Sequence, residues 1–172
     1  MGFAIEGADG GTANVEGGRL YVVNQTPYEA AVERGDAYAW SWSFNAGAND
    51  TYLAVKNDSQ DQVLVIDRII ISSDLADEVI VHTCDICTTG TAITGTNMNQ
   101  ESGKAAPATA KEDETANTLA NGKLIIEAAV AADQTLVLDN LNIRLGYTQS
   151  IGVDCIAGST ALADGAIIGY FE

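Results

Sequence analysis

Four aromatic residues, Tyr38, Trp40, Trp42 and Phe44, alternate with the small residues Ala39, Ser41 and Ser43. A period of two places all four rings on one face of an extended strand, whereas a helix would scatter them around its circumference. Such a face has to be covered by a second apolar layer, so the run already demands a layered β structure. The segments that follow repeat the demand. Thr51 to Asn57 reads as a strand, and Val63 to Ser72 is a nearly continuous run of β-branched residues. Glu78 to Thr83 alternates again, and Thr91 to Asn97, Thr135 to Asp139, Gln149 to Ile156 and Ala166 to Phe171 complete the set. Lys123 to Ala131 satisfies strand and helix propensities alike, and its spacing between turns favours a strand. Turn clusters rich in Gly, Asn and Asp punctuate these runs every ten or so residues, the rhythm of a β-sandwich or barrel. Cys87 to Ala116 is poor in apolar residues and contains Pro107, so beyond Asn97 it reads as a long loop reaching about Asn117.

The first 36 residues have a different character. Six glycines among the first eighteen residues rule out a stable helix or central strand there. Arg19 to Val23 reads as a short strand, Asn24 to Pro27 as a turn, and Tyr28 to Arg34 as one or two helical turns closed by Gly35. The expected organisation is an extended N-terminal arm over 1–36 and a sandwich over 37–172; a loose tail is the competing reading of the same glycines.

Charge narrows the possible partners. The 172 residues hold 24 acidic against 8 basic side chains, a net −16. So few cations cannot neutralise a run of phosphates, which argues against nucleic acid and against anionic membranes. No run nears the ~18 apolar residues of a membrane helix, and Met1 to Val15 lacks the basic and apolar regions of a secretory leader. Three cysteines are too few for a disulfide framework, so synthesis in a reducing cytoplasm is expected.

Few residues suggest chemistry. His82, Cys84 and Cys87 have ligand types and spacing compatible with zinc, and Cys155 is the remaining thiol for a fourth position. Burial of one cysteine as a small hydrophobe at a strand end is the simpler reading, and no cofactor is expected. His82 is the only histidine, with no motif beside it that supplies a nucleophile. The carboxylates Asp58, Asp61, Asp67, Asp74, Asp77, Glu78 and Asp85 offer oxygen ligands for calcium without EF-hand spacing, and solvated turns account for them equally. Asn24, Asn49 and Asn57 open glycosylation-type triplets that turn composition also produces. Trp40 and Trp42 read either as core or as a sugar-stacking platform, the small intervening residues favouring core.

Several short stretches, in order along the chain, resemble a family of small tailed-phage virion proteins, the head-decoration or cement type. These are Ala13-Asn14-Val15 with Gly18 to Val22, Glu29-Ala30-Ala31 with Gly35 to Tyr38, Leu53 to Asn57 with Leu64 to Ile69, and the terminal Ile168 to Glu172. Cys84 and Cys87 are not part of that pattern. The resemblance implies a jelly-roll-like antiparallel β-sandwich without enzymatic activity. It would be made in the bacterial cytoplasm and docked on the capsid surface, often as a homotrimer. The partner would be the major capsid protein, gripped by a sandwich edge and by the arm at Val15, Arg19, Leu20, Tyr21 and Val22. A carbohydrate-binding module on the virion or tail, using Trp40 and Trp42, is the alternative.

Overall fold

The computed structural model describes residues 5–6, 12–16, 19–21, 25–45, 47, 51–84, 90–114, 122–155 and 162–172. Three strands lead the chain: β1 (Ile5–Glu6), β2 (Thr12–Glu16) and β3 (Arg19–Tyr21). They form their own antiparallel ladder, Ile5 opposite Ala13 and Val15 opposite Leu20, and pair with neither of the larger sheets.

Helix α1 (Pro27–Arg34) follows, and local chemistry explains its limits. Thr26 and Glu29 form a reciprocal capping box, Pro27 opens the first turn, and Gly35 closes the helix at φ 73°. The helix is seated on the body: Tyr28, Ala31 and Val32 pack with Ala37, Val65 and Tyr170. Its last turn is held from outside, by Lys104 Nζ on the Arg34 carbonyl at 2.8 Å and Asn97 Nδ2 on the Gly35 carbonyl at 2.8 Å. The final part of the expected arm is therefore helical and tied to the sandwich.

Twelve strands follow among the described residues. They are β4 (Ala37–Asn45), β5 (Thr51–Asn57), β6 (Leu64–Ser73), β7 (Asp77–Thr83), β8 (Thr91–Ile93), β9 (Thr96–Asn97), β10 (Ala108–Glu114), β11 (Leu124–Val130), β12 (Gln134–Leu138), β13 (Ile143–Leu145), β14 (Ser150–Cys155) and β15 (Leu162–Phe171). One sheet runs β11-β7-β14-β5-β10-β8 and the other β12-β6-β15-β4-β9, with β13 continuing β12 along β6. Every ladder is antiparallel. The pairs β4–β15, β5–β14, β6–β12 and β7–β11 join first strand to last, second to next-to-last, and so inward. That is a long hairpin rolled up so that successive pairs fall in opposite sheets, the wiring of a jelly roll.

The segment between β7 and β11 is not the loop that its composition suggests. It contributes β10, whose Ala108-Thr109-Ala110-Lys111-Glu112-Asp113-Glu114 is a poor strand former by propensity but pairs with β5 on one side and β8 on the other. The expected strand over Thr91 to Asn97 is split into β8 and β9, which belong to different sheets. The split falls at Gly95, where an added Cβ would stand 2.5 Å from the Trp40 indole nitrogen.

Between the sheets lie Tyr38, Trp40, Trp42, Leu53, Val55, Ile66, Ile69, Val81, Ile151, Val153, Ile167 and Phe171. Trp42 stacks on Tyr52 with ring centres 5.9 Å apart, and Tyr38 meets Phe171 edge to face. Gly165 faces Trp42 in the register; a Cβ there would come within 2.2 Å of the indole and 2.3 Å of the Ile70 carbonyl. The segment Lys123 to Ala131, open between helix and strand in sequence, is strand β11.

Candidate functional site

The outer face of a sandwich sheet ordinarily meets water with polar residues, yet part of this one is sealed. On the β7–β14–β5 face, His82, Gly152 and Ala54 lie in one row, each opposite the next. Gly152 and Ala54 are small, and the space above them is filled by the His82 ring and the Cys84 thiol: a Cβ on Gly152 would be 3.2 Å from each. Gly122, at the approach to β11, lies over the other ring edge, where a Cβ would sit 2.7 Å from His82 Nδ1. Two positions along β14 from Gly152, Asp154 comes to the same face.

His82 and Asp154 are both fully buried, and Nε2 lies 2.9 Å from Asp154 Oδ2. The distance is that of an ion pair, although the ring N–H is not aligned as a hydrogen bond. Nδ1 is 2.9 Å from the Thr83 carbonyl, which can only accept, so Nδ1 carries a proton. Nδ1 is held by a carbonyl, Nε2 stands beside a carboxylate, and the ring is fully buried. Nearby, Ser150 Oγ donates to the Cys84 carbonyl, and Cys84 Sγ stands 3.9 Å from Ser150 Oγ. The cluster is a buried polar anchor between strands β7 and β14.

Cys87 lies outside the described residues. Strand β14 does run beside β7, but Cys155 is opposite Val79, three positions and about 10 Å along the strand from the His82 row. Among the described residues no three of His, Cys, Asp and Glu are grouped to hold a metal ion.

The acidic segment is dispersed rather than gathered. Asp58 pairs with Lys56 at 2.8 Å and accepts from Thr109, and Asp77 accepts from Tyr52 Oη at 2.9 Å. Asp74 lines an open recess of about 240 Å³ together with Ser72, Ser73, Asp133, Leu162 and Asp164. Asp85 is outside the described residues. On the β7–β11 face, a hydrogen bond with Glu127, reinforced by its charge, raises the Glu78 carboxyl above its ordinary value. An acid whose pKa is raised by folding costs stability when ionised, and that cost disappears as pH falls through the raised value. Glu127→Gln should accordingly raise the melting temperature at neutral pH and flatten the gain in stability on mild acidification. Thermal melts across that pH range check both.

Trp40 and Trp42 are core residues, 0% and 3% exposed. Neither indole is open to solvent, in keeping with their alternation with small residues on an inward face. Asn57 is fully buried, its amide donating to the Gln62 and Leu145 carbonyls, and it is closed to glycosylation. Asn24 and Asn49 lie outside the described residues. Of the expected arm contacts, Val15 is in β2 and Arg19, Leu20 and Tyr21 form β3, while Val22 lies outside the described residues. Asp154 and the recess acids Asp133 and Asp164 were not singled out by sequence; no spacing links them to their neighbours.

Compared with protein-family models, curated proteins and solved structures, the chain has no significant match.

Proposed function

We propose that this chain is a structural virion protein that decorates an assembled tailed-phage capsid, holding the major capsid protein through its leading segment and a sandwich edge. The observation that carries the reading is the division of labour along the chain. Residues 37–172 complete a rolled-up sandwich with its own core, while β1–β3 form a ladder that joins neither of its sheets. A small ladder of this kind buries little by itself and gains from a surface supplied by a partner. The buried ring of His82 and the sealed indoles fit a body that works by attachment and not by turnover. Net charge of −16 keeps crowded copies soluble between docking events. The order of the short stretches that resemble decoration proteins supports the same reading.

The test uses particles of the phage whose genome encodes the chain. Purified virions should contain it at a copy number commensurate with the capsid lattice, and its absence from virions would end the proposal. Deleting residues 1–24 should leave the melting temperature within a few degrees of the parent and abolish binding to particles that lack the protein. Deleting 1–36 is a different operation. It also strips α1 from Val65 and Tyr170 and should cost on the order of 3 kcal/mol, read from urea melts of the two truncations.

A further inference from the structure

The two sheets differ on their outer faces. On the β7–β14–β5 face the row of His82, Gly152 and Ala54 is sealed. On the other sheet α1 covers one row, Val65–Tyr170–Ala37, and the face beyond it lies open. Read straight across the register, the next row is Arg68–Ile168–Ala39, and the one after it is Val137–Ile70–Ala166–Ser41. Ile168, Ala39, Ile70 and Ala166 are half-buried, and Val137 is 51% exposed. In a chain of net charge −16 these two rows hold no acid, and their one cation, Arg68, is already paired with Asp139.

The leading ladder has the matching pattern. Its registers put Ile5 opposite Ala13 and Val15 opposite Leu20 on one face, and Asn14 opposite Tyr21 and Glu16 opposite Arg19 on the other. We infer that β1–β3 is a cover for its own sandwich, laid with the face of Ile5, Ala13, Val15 and Leu20 over the rows of Ile168 and Ile70. The route of the chain selects the same copy. At the start of α1, Tyr28 meets Tyr170 edge to face with ring centres 6.2 Å apart. Burial and the charge of Asp67 raise the Tyr28 hydroxyl above its ordinary value, with Arg68 opposing them, so the first turn of the helix stands beside the first open row. Five residues, 22–26, separate Tyr21 from Pro27, a reach of at most about 17 Å. A tether that short holds the ladder over the face at millimolar effective concentration. Cover and seat also agree in size. The open part of β4, Ala39 to Ser43, matches the five residues of β2, each about 17 Å long, and three ladder strands span β4, β15 and β6. Packing of this kind is face to face and needs no strand pairing, in keeping with a ladder that joins neither sheet. The inference stands without the capsid reading, which in turn requires the ladder to lift from this seat before it grips a particle.

Methyl-labelled NMR on the full chain provides the test. Nuclear Overhauser contacts should join the methyls of Val15 and Leu20 to those of Ile70, Ile168 or Val137, and should persist when the labelled chain is diluted into excess unlabelled chain. Val15→Lys with Leu20→Lys, both confined to the ladder, should erase these contacts and speed amide exchange in β2 and β3 by about tenfold, while the sandwich melts within a few degrees of the parent. Ile70→Lys should release the ladder from the other side, and Ile70→Met, which keeps the seat apolar, should retain the contacts. Absence of the contacts in the parent overturns the inference, as does unchanged exchange in the double lysine variant. Loss of the contacts on dilution overturns it too, by making a second copy the occupant. A ladder free in solution and protected only on particles overturns it and leaves the capsid reading standing; a docked ladder in a chain that virions lack does the reverse.

Discussion

Asp154→Ala should destabilise the protein by about 3–5 kcal/mol, the usual cost of removing one partner from a buried ion pair. His82 and Asp154 are both fully buried and 2.9 Å apart, on a sheet face closed by Gly122 on one side and by Cys84 on another. Truncation to alanine leaves the imidazole without its carboxylate where water cannot replace it. Total stabilities of domains are typically about 5–15 kcal/mol, so the variant should sit near its unfolding threshold at ordinary temperatures. Replacing both partners tells more. His82→Leu with Asp154→Leu should recover most of the loss, since apolar pairs of similar volume often match or exceed a buried ion pair. Urea denaturation of the two singles and the double gives the coupling directly. A double variant as unstable as the sum of its singles would show that strand packing, and not the pairing of charges, is what matters there.

Trp40→Ala should cost about 3–5 kcal/mol as well, by a different mechanism. The indole is wholly buried, its ring centre 6.1 Å from that of Tyr38 and its nitrogen close to Gly95. Removing it opens a cavity where β4 meets the crossing between β8 and β9. Trp40→Phe retains most of the volume and should cost distinctly less. The comparison bears on function too. If Trp40 were a ligand platform, its loss would abolish binding in a stable protein; here the loss should appear first as a lower unfolding midpoint. A Trp40→Ala protein with parental stability would contradict the packing described.

Legibility in the sequence followed local chemistry closely. The helical turns expected over Tyr28 to Arg34 and closed by Gly35 mark α1 to within a residue, because a helix end is set by neighbours in the chain. Alternation located β4, and the β-branched run located β6, because side-chain period is a property of the strand itself. Strand β10 escaped notice because its second half is Lys, Glu and Asp, and only the small Ala108 and Ala110 report the core. Strand β13 escaped because three residues are too few to show a period. The glycines of β15, Gly165 and Gly169, blurred the start of a strand in which they are needed for close approach to Trp42 and to the Val65 carbonyl.

From the order of residues alone came a two-layer β body, the inward face of its strands, and a net charge of −16. Those follow from period and charge, which are local or additive. Which strand lies beside which was settled only by closure of the whole chain. The nesting of β4 with β15 and of β7 with β11 joins residues far apart in sequence, and the same alternating pattern would serve many other pairings. The meeting of His82 with Asp154, and the exposure of an uncharged β12 at the edge, are consequences of that nesting. Neither is encoded at a spacing that could be read before the sheets were assembled.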